Sequence, residues 1–218
     1  MNIFIDIVSR RKKKLILLGY IFYMTVALLG ITIGYHRYFT HQSFTTNKFN
    51  EVLMLLSGLI CGGRSALTWA GVHRMHHANS DTAKDPHSPI YKGISVLFSK
   101  WKVDYIPKKF IIDLIRNPRV RFFHQYGKYI YAAYCIFVLT FGLPAFYIFV
   151  VSPFILSWIG FGLLNYVTHM NGSPTDIPWL NIIGPGEGWH KYHHENPSSY
   201  RFHKYDMAGV VIEFIRTK

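Results

Sequence analysis

GEGWHKYHH, residues 186–194, places His190, His193 and His194 in one short run beside Glu187 and Trp189. The three histidines stand at i, i+3 and i+4, so on a helix they share one face. One such run could be accidental, but two more occur: HRYFTH at 36–41 and HRMHH at 73–77. In the second, His73, His76 and His77 repeat the same spacing. Nine of the twelve histidines fall in these runs or at His169. His36 and His41 are five apart and suit a helix end and the turn after it. Asn165 and His169, four apart, share a helix face at the end of an apolar segment.

Neutral imidazole is the commonest side-chain ligand of first-row metals. Nine histidines exceed the three or four ligands of one zinc site and fit two metals. Iron, copper, nickel and zinc all accept imidazole, so the donor set leaves the metal open. The full pattern of soluble di-iron bundles, two Glu-x-x-His motifs plus two further Glu, is absent. Metal-bound histidines usually give their other N–H to a carboxylate or carbonyl, and Asp81, Asp85 and Glu187 are the candidates. His87, His124 and His203 read as surface or otherwise satisfied histidines. Cys61 and Cys135 lie in apolar segments and read as buried small hydrophobes.

The chain has 218 residues, half of them hydrophobic, enough for one domain with a sizeable core. Leu15 to Tyr35 carries no charged residue, and neither does Tyr129 to Thr175 apart from His169. About 20 apolar residues cross a bilayer. Spans are expected near 15–34, 129–146 and 149–168, with Gly142, Pro144 and Pro153 as breakers of the longer stretch. Residues 52–63, VLMLLSGLICGG, are too short to cross alone and run into Arg64. An interfacial helix is expected over 51–71. The fold expected is an all-α integral membrane protein, one domain over 1–218, with a helical cap holding the histidines. A cleavable signal peptide is not expected, because the first apolar stretch is too long for one.

The net charge is +13. Residues 36–128 hold fourteen Lys/Arg against five Asp/Glu, and the turn between the last two spans holds no Lys or Arg. The positive-inside rule puts 36–128 and the C-terminal tail on the cytoplasmic side, with all three histidine runs on one face. Arg10 to Lys14 resists this, since a single crossing would put that run outside. A re-entrant or strongly tilted first helix is left open. The basic cap suits anionic lipid headgroups or an acidic electron carrier, and nucleic acid is not an expected partner.

HRYFTH, HRMHH and GEGWHKYHH, with NYVTH before the third, resemble the three histidine boxes of the membrane fatty acid desaturases. The delta-9 acyl-CoA and acyl-lipid group is the nearest likeness. GITIGYHR, SDTAKDPHSP and FHKYDMAG agree with it, and the likeness runs from about residue 25 to the end. The resemblance implies a mushroom-like helical membrane protein with a cytosolic cap. It implies two irons held by His36, His41, His73, His76, His77, His169, His190, His193 and His194, with Asn165 reaching one metal through water. Trp69 matches a tryptophan at the bend of the acyl tunnel, and Tyr20 and Met24 on the first span are candidates to close its far end.

The reaction implied uses molecular oxygen to remove two hydrogens from adjacent methylenes of a saturated acyl chain, giving a cis double bond and water. The chain would be carried on coenzyme A, a carrier protein or a lipid. Electrons would come from a separate ferredoxin, rubredoxin or b-type cytochrome, because no cytochrome domain is fused. Two departures stand out: family members usually have a span before the first box-bearing helix, and the loop after the second box is short. Competing readings are an acyl or alkane hydroxylase with a similar cluster, a non-catalytic membrane metal-binding or metal-transport protein, and a shortened inactive relative. A metal transporter would place polar ligands within the spans.

Overall fold

The apolar run Leu15–Tyr35 lies inside one unbroken helix, α1, which is α-helical over Asn2–Val26 and π-helical over Ala27–Thr40. The computed structural model describes residues 2–98 and 103–217, and residues 1, 99–102 and 218 of the expected domain lie outside the described residues. The π-helical end explains the spacing of the first histidine pair. Its backbone bonds close five residues back, as where the His41 N–H donates to the His36 carbonyl at 3.1 Å, and the Thr40 side-chain hydroxyl donates to the Tyr35 carbonyl at 2.7 Å. Five residues overshoot one α-turn but come close to one π-turn, so His36 and His41 reach one face. Because α1 does not fold back, it is not re-entrant, and Arg10–Lys14 lie at the end away from His36, roughly 30 Å along the axis.

After α1 the chain reverses into α2, Lys48–Ile60, capped by the Asn47 side chain, which accepts the Asn50 N–H at 2.9 Å. Helix α2 lies against the π-helical part of α1 through facing glycines. A Cβ on Gly30 would sit 2.1 Å from the Gly58 nitrogen, so neither helix could approach so closely with a larger residue there. The expected single helix over 51–71 is in fact two. Gly62, at φ +74°, turns the chain in a conformation that favours glycine, and Ser65 caps α3, Ala66–Asn79. The turn lets α3 climb back beside the end of α1, which a straight interfacial helix could not do.

Short helical turns at Pro89–Lys92, Gly93–Phe98 and Ile112–Arg116 lead to α4, Pro118–Leu139. Asn117 caps it and Pro118 occupies the first turn, where no N–H is needed. The hairpin then turns at Gly142, φ +89°, and returns as the continuous helix α5, Leu143–His169. The return begins at Leu143, inside the segment 129–146 expected as one span. Pro153 does not end α5. Its ring would clash with the carbonyl four residues back, and that residue lies in a π-helical turn, Tyr147–Val151, which relieves the clash.

Among the described residues, two helical stretches are long and apolar enough to cross a bilayer, Ser9–Thr40 and Leu143–His169. Helix α4 carries Arg119, Arg121 and Lys128 in its first half. Helices α1 and α5 pack side by side, with Gly19 against Ser152. Their outer faces and that of α4 expose Leu17, Ile21, Ile136, Phe137 and Ile155, as a membrane protein does. The chain closes with α6, His190–Glu195, and α7, Met207–Ile215, which Asp206 caps by accepting the Ala208 N–H at 3.0 Å. No strand occurs among the described residues beyond a single bridge, Thr46 to Arg216.

Candidate metal centre

Four elements deliver histidines to one end of the bundle: the π-helical end of α1, α3, the last turn of α5, and α6. The rings fall into two groups. His36, His41, His73, His77 and His193 form one, and His76, His169, His190 and His194 the other, with the donor atoms in each group within 4.8 Å of one another. His77 of the first group stacks on His194 of the second at 4.2 Å between ring centroids. All nine histidines that the sequence singles out are therefore brought together.

Three carboxylates stand behind three of these rings. Nδ1 of His36 lies 2.9 Å from Glu187, Nδ1 of His76 lies 2.9 Å from Asp85, and Nδ1 of His169 lies 2.9 Å from Asp81. A carboxylate only accepts, so each of these Nδ1 atoms carries the proton and each Nε2 turns a lone pair inward. The inward contacts are Nε2 to Nε2: His36 to His193 at 2.9 Å, His193 to His77 at 2.8 Å, and His169 to His190 at 2.9 Å. Hydrogen bonds among the rings do not account for all of this. His193 Nε2 meets two neighbours with one nitrogen, and the buried His41 Nε2 has no hydrogen-bond partner. Lone pairs converging on two points are what a pair of metal ions requires, so the residues fit that group.

Burial also fixes the protonation state. Desolvation, reinforced by neighbouring histidines, holds His41, His73, His76, His190, His193 and His194 well below the usual imidazole range. The same causes lower His77 to about 3. These rings are neutral at pH 7, the form that binds metal. Burial raises the Asp85 carboxyl, opposed by the backbone N–H groups of His87 and Asp81 that it accepts.

A cavity of about 790 Å³ opens from this cluster, with His36, His73, Asn165 and His190 at its head and Phe154 and Phe161 along its wall. That volume is in the range of small-molecule sites. Asn165, whose amide donates to the Phe161 carbonyl at 2.7 Å, stands in the wall beside the histidines. Trp69 lines the cavity and stacks on His73 at 4.9 Å. Tyr20 and Met24 do not line it, contrary to expectation. The exposed Tyr20 hydroxyl donates to the Ile182 carbonyl at 2.6 Å, and the partly buried Met24 packs against the core.

His87 is not a surface residue. It is buried, lines the cavity and stacks on His76 at 4.1 Å. Its place after Asp85-Pro86, ten residues past the second run, was the available signal. His124 and His203 are exposed, the first bonded to the Ser65 hydroxyl and the second stacked on Trp189. Cys61 is buried and Cys135 partly so, and both are free.

These features define a class: an all-helical membrane protein with two metal-sized histidine groups at the head of a cavity. The sequence model of the fatty acid desaturases, described as "Fatty acid desaturase", matches residues 14–213. An sn-1 stearoyl-lipid 9-desaturase of Anabaena variabilis is 30% identical over 207 residues, covering 86% of this chain and 75% of its own. Delta-9 acyl-lipid desaturase 1 of Arabidopsis thaliana is 30% identical over 220 residues, covering 88% and 69%. Stearoyl-CoA desaturase 5 of Bos taurus is 29% identical over 216 residues, covering 87% and 64%. The chain belongs to the fatty acid desaturase family, whose members are oxidoreductases of lipid metabolism.

Proposed function

We propose that this chain is an oxygen-dependent acyl desaturase that introduces a cis double bond, at the delta-9 position, into a saturated acyl chain. The observation that carries the reading is the pair of histidine groups at the head of a largely apolar cavity, in a chain of this family. The nine histidines would hold two irons, five on one and four on the other, with Asn165 adding a water-mediated contact. When bound, the irons supply the oxidising chemistry that removes hydrogen from unactivated methylenes.

The protein's own residues do the rest. Glu187, Asp85 and Asp81 fix the tautomer and direction of His36, His76 and His169. Desolvation keeps the ligand rings neutral. Phe154, Phe161 and Trp69 give the acyl chain an apolar wall that excludes water, and Trp69, stacked on His73, fixes where the chain passes the metals. The relatives' names include both lipid-linked and coenzyme A-linked activities, so the saturated acyl chain would be carried on a lipid, coenzyme A or a carrier protein. Within the domain 1–218, the histidine end would face the cytoplasm, where a separate ferredoxin, rubredoxin or b-type cytochrome delivers electrons.

The test is to express the chain in a host with mostly saturated lipids and to profile its fatty acids by gas chromatography–mass spectrometry, with His193→Ala alongside. Monounsaturated chains in the wild type alone are expected, with the double bond at carbon nine. Hydroxylated chains would move the activity to the hydroxylases. No new product, with the protein present in membranes, would contradict the reading.

A further inference from the structure

Both of the first two histidine runs begin His-Arg, and neither arginine is near enough in kind to be a ligand. Arg37 is fully buried. It donates to Asp206 at 2.5 Å, to the Tyr200 carbonyl at 2.8 Å and to the Gly186 carbonyl at 2.8 Å, and it lies 3.8 Å over the Phe202 ring. Arg74 reaches backward across the bundle. It donates to the Thr40 carbonyl at 2.8 Å, the Phe39 carbonyl at 2.7 Å and the Phe110 carbonyl at 2.8 Å, and grips Asp113 with two bonds at 2.7 and 2.8 Å.

Both grips act on the same piece of chain. Arg37 belongs to the π-helical end of α1 and ties it to the loop that carries Glu187. Arg74 ties the last carbonyls of that end to α3. Fourteen residues of π-helix are far longer than the single turns in which this form is usually found, so the backbone needs an outside hold. The end of α1 feeds only one of the two groups: His36 and His41 belong to the five-histidine group, and no residue of α1 belongs to the four-histidine group.

We propose that Arg37 and Arg74 are positioning residues whose loss falls first on the five-histidine group. The inference rests on the reading of both groups as metal sites. A guanidinium suits the task because its planar fork bonds several carbonyls and a carboxylate at once, which an ammonium cannot.

The test uses the purified full chain in detergent, stripped with a chelator and titrated with Co2+, whose visible spectrum reports histidine ligation and whose bound amount is measured by mass spectrometry of the metal. Arg37→Gln and Arg74→Gln are compared with wild type, with the milder Asp113→Asn, and with Arg119→Gln. Arg119 makes an ion pair with the buried Glu51 at 2.6 Å, away from both groups, so its loss reports a merely structural defect. The expected result is that Arg37→Gln and Arg74→Gln halve the bound Co2+ and leave one spectral species, that Arg74→Lys restores part of the loss, and that Arg119→Gln binds as wild type does. Asp113→Asn, which leaves the carbonyl bonds of Arg74 in place and so remains foldable, is expected to weaken one of two binding phases about tenfold. Equal loss of both phases in the arginine variants, or no loss in any variant, would overturn the inference while leaving the metal reading intact. A wild-type chain that took up no Co2+ would overturn both.

Discussion

The histidine end and the membrane end of this molecule invert each other. At the histidine end, His36, His73, His76, His169, His190 and His193 are buried with Asp85 and Glu187, polar groups that most proteins leave wet. At the membrane end, Ile16, Leu17, Ile136, Phe137 and Phe141 are exposed, apolar groups that most soluble proteins hide. Each end is stable for its own reason. His36, His76 and His169 are bonded to carboxylates behind them, and the rings turn Nε2 toward two common points, while Nδ1 of His190 and Nδ1 of His193 have no hydrogen-bond partner. Exposed apolar groups persist because their solvent is lipid. The cavity joins the two environments, with imidazoles at its head and aromatic rings along its wall.

Acid should break the histidine end first. His77 titrates at about 3 in the fold against about 6.5 when unfolded, so between those values the unfolded chain binds a proton that the folded chain refuses. The buried neutral ring thus contributes stability above about pH 6.5 that is lost as pH falls toward 3, at about 1.4 kcal/mol per pH unit for each such histidine. Metal-free protein should unfold cooperatively as pH drops from 7 to 4, as circular dichroism can follow, and one stable to pH 4 would contradict the burial argument. A smaller effect is expected from the carboxylates. Glu187→Gln, Asp85→Asn or Asp81→Asn should weaken metal binding roughly 10–100-fold without unfolding the chain, read by competition with a chelator of known affinity. The smallest effect is expected at the other end. Leu17→Lys sits three residues after Lys14, where its ammonium can reach water, so its cost should be well below the about 2.5–3.5 kcal/mol of a lysine at a helix centre. Membrane yield should fall slightly and metal content not at all; a loss of metal would show that the two ends are not independent.

The histidine groups were legible because their pattern is local. The i, i+3, i+4 spacing of His73, His76 and His77, and of His190, His193 and His194, states a helix face by itself. Asp81, Asp85 and Glu187 stood out as acids a few residues from a histidine run, but which ring each supports was not legible: Glu187 backs His36 and Asp81 backs His169, 151 and 88 residues away in sequence. What escaped depends on contacts that spacing does not encode. The π-helix of α1 has no signature in ALLGITIGYHRYFT, yet it alone brings His36 and His41 to one face. The break in 51–71 was written in Gly62-Gly63, but its consequence, a helix returning to the metal end, needed the packing of Gly30 on Gly58. Tyr20 was misplaced because an apolar span does not say which of its faces meets the cavity. His87 was misjudged because a histidine outside the runs gives no sign of its depth.

The central claim is that two separate histidine groups each hold one iron. The most direct measurement is the iron content and Mössbauer spectrum of the full chain purified from cells grown on 57Fe, with His73→Ala and His76→Ala beside it. Two irons per chain are expected in the wild type, in two distinguishable sites, and each variant should lose a different one. A single iron site in the wild type, or the same site lost in both variants, would contradict the claim.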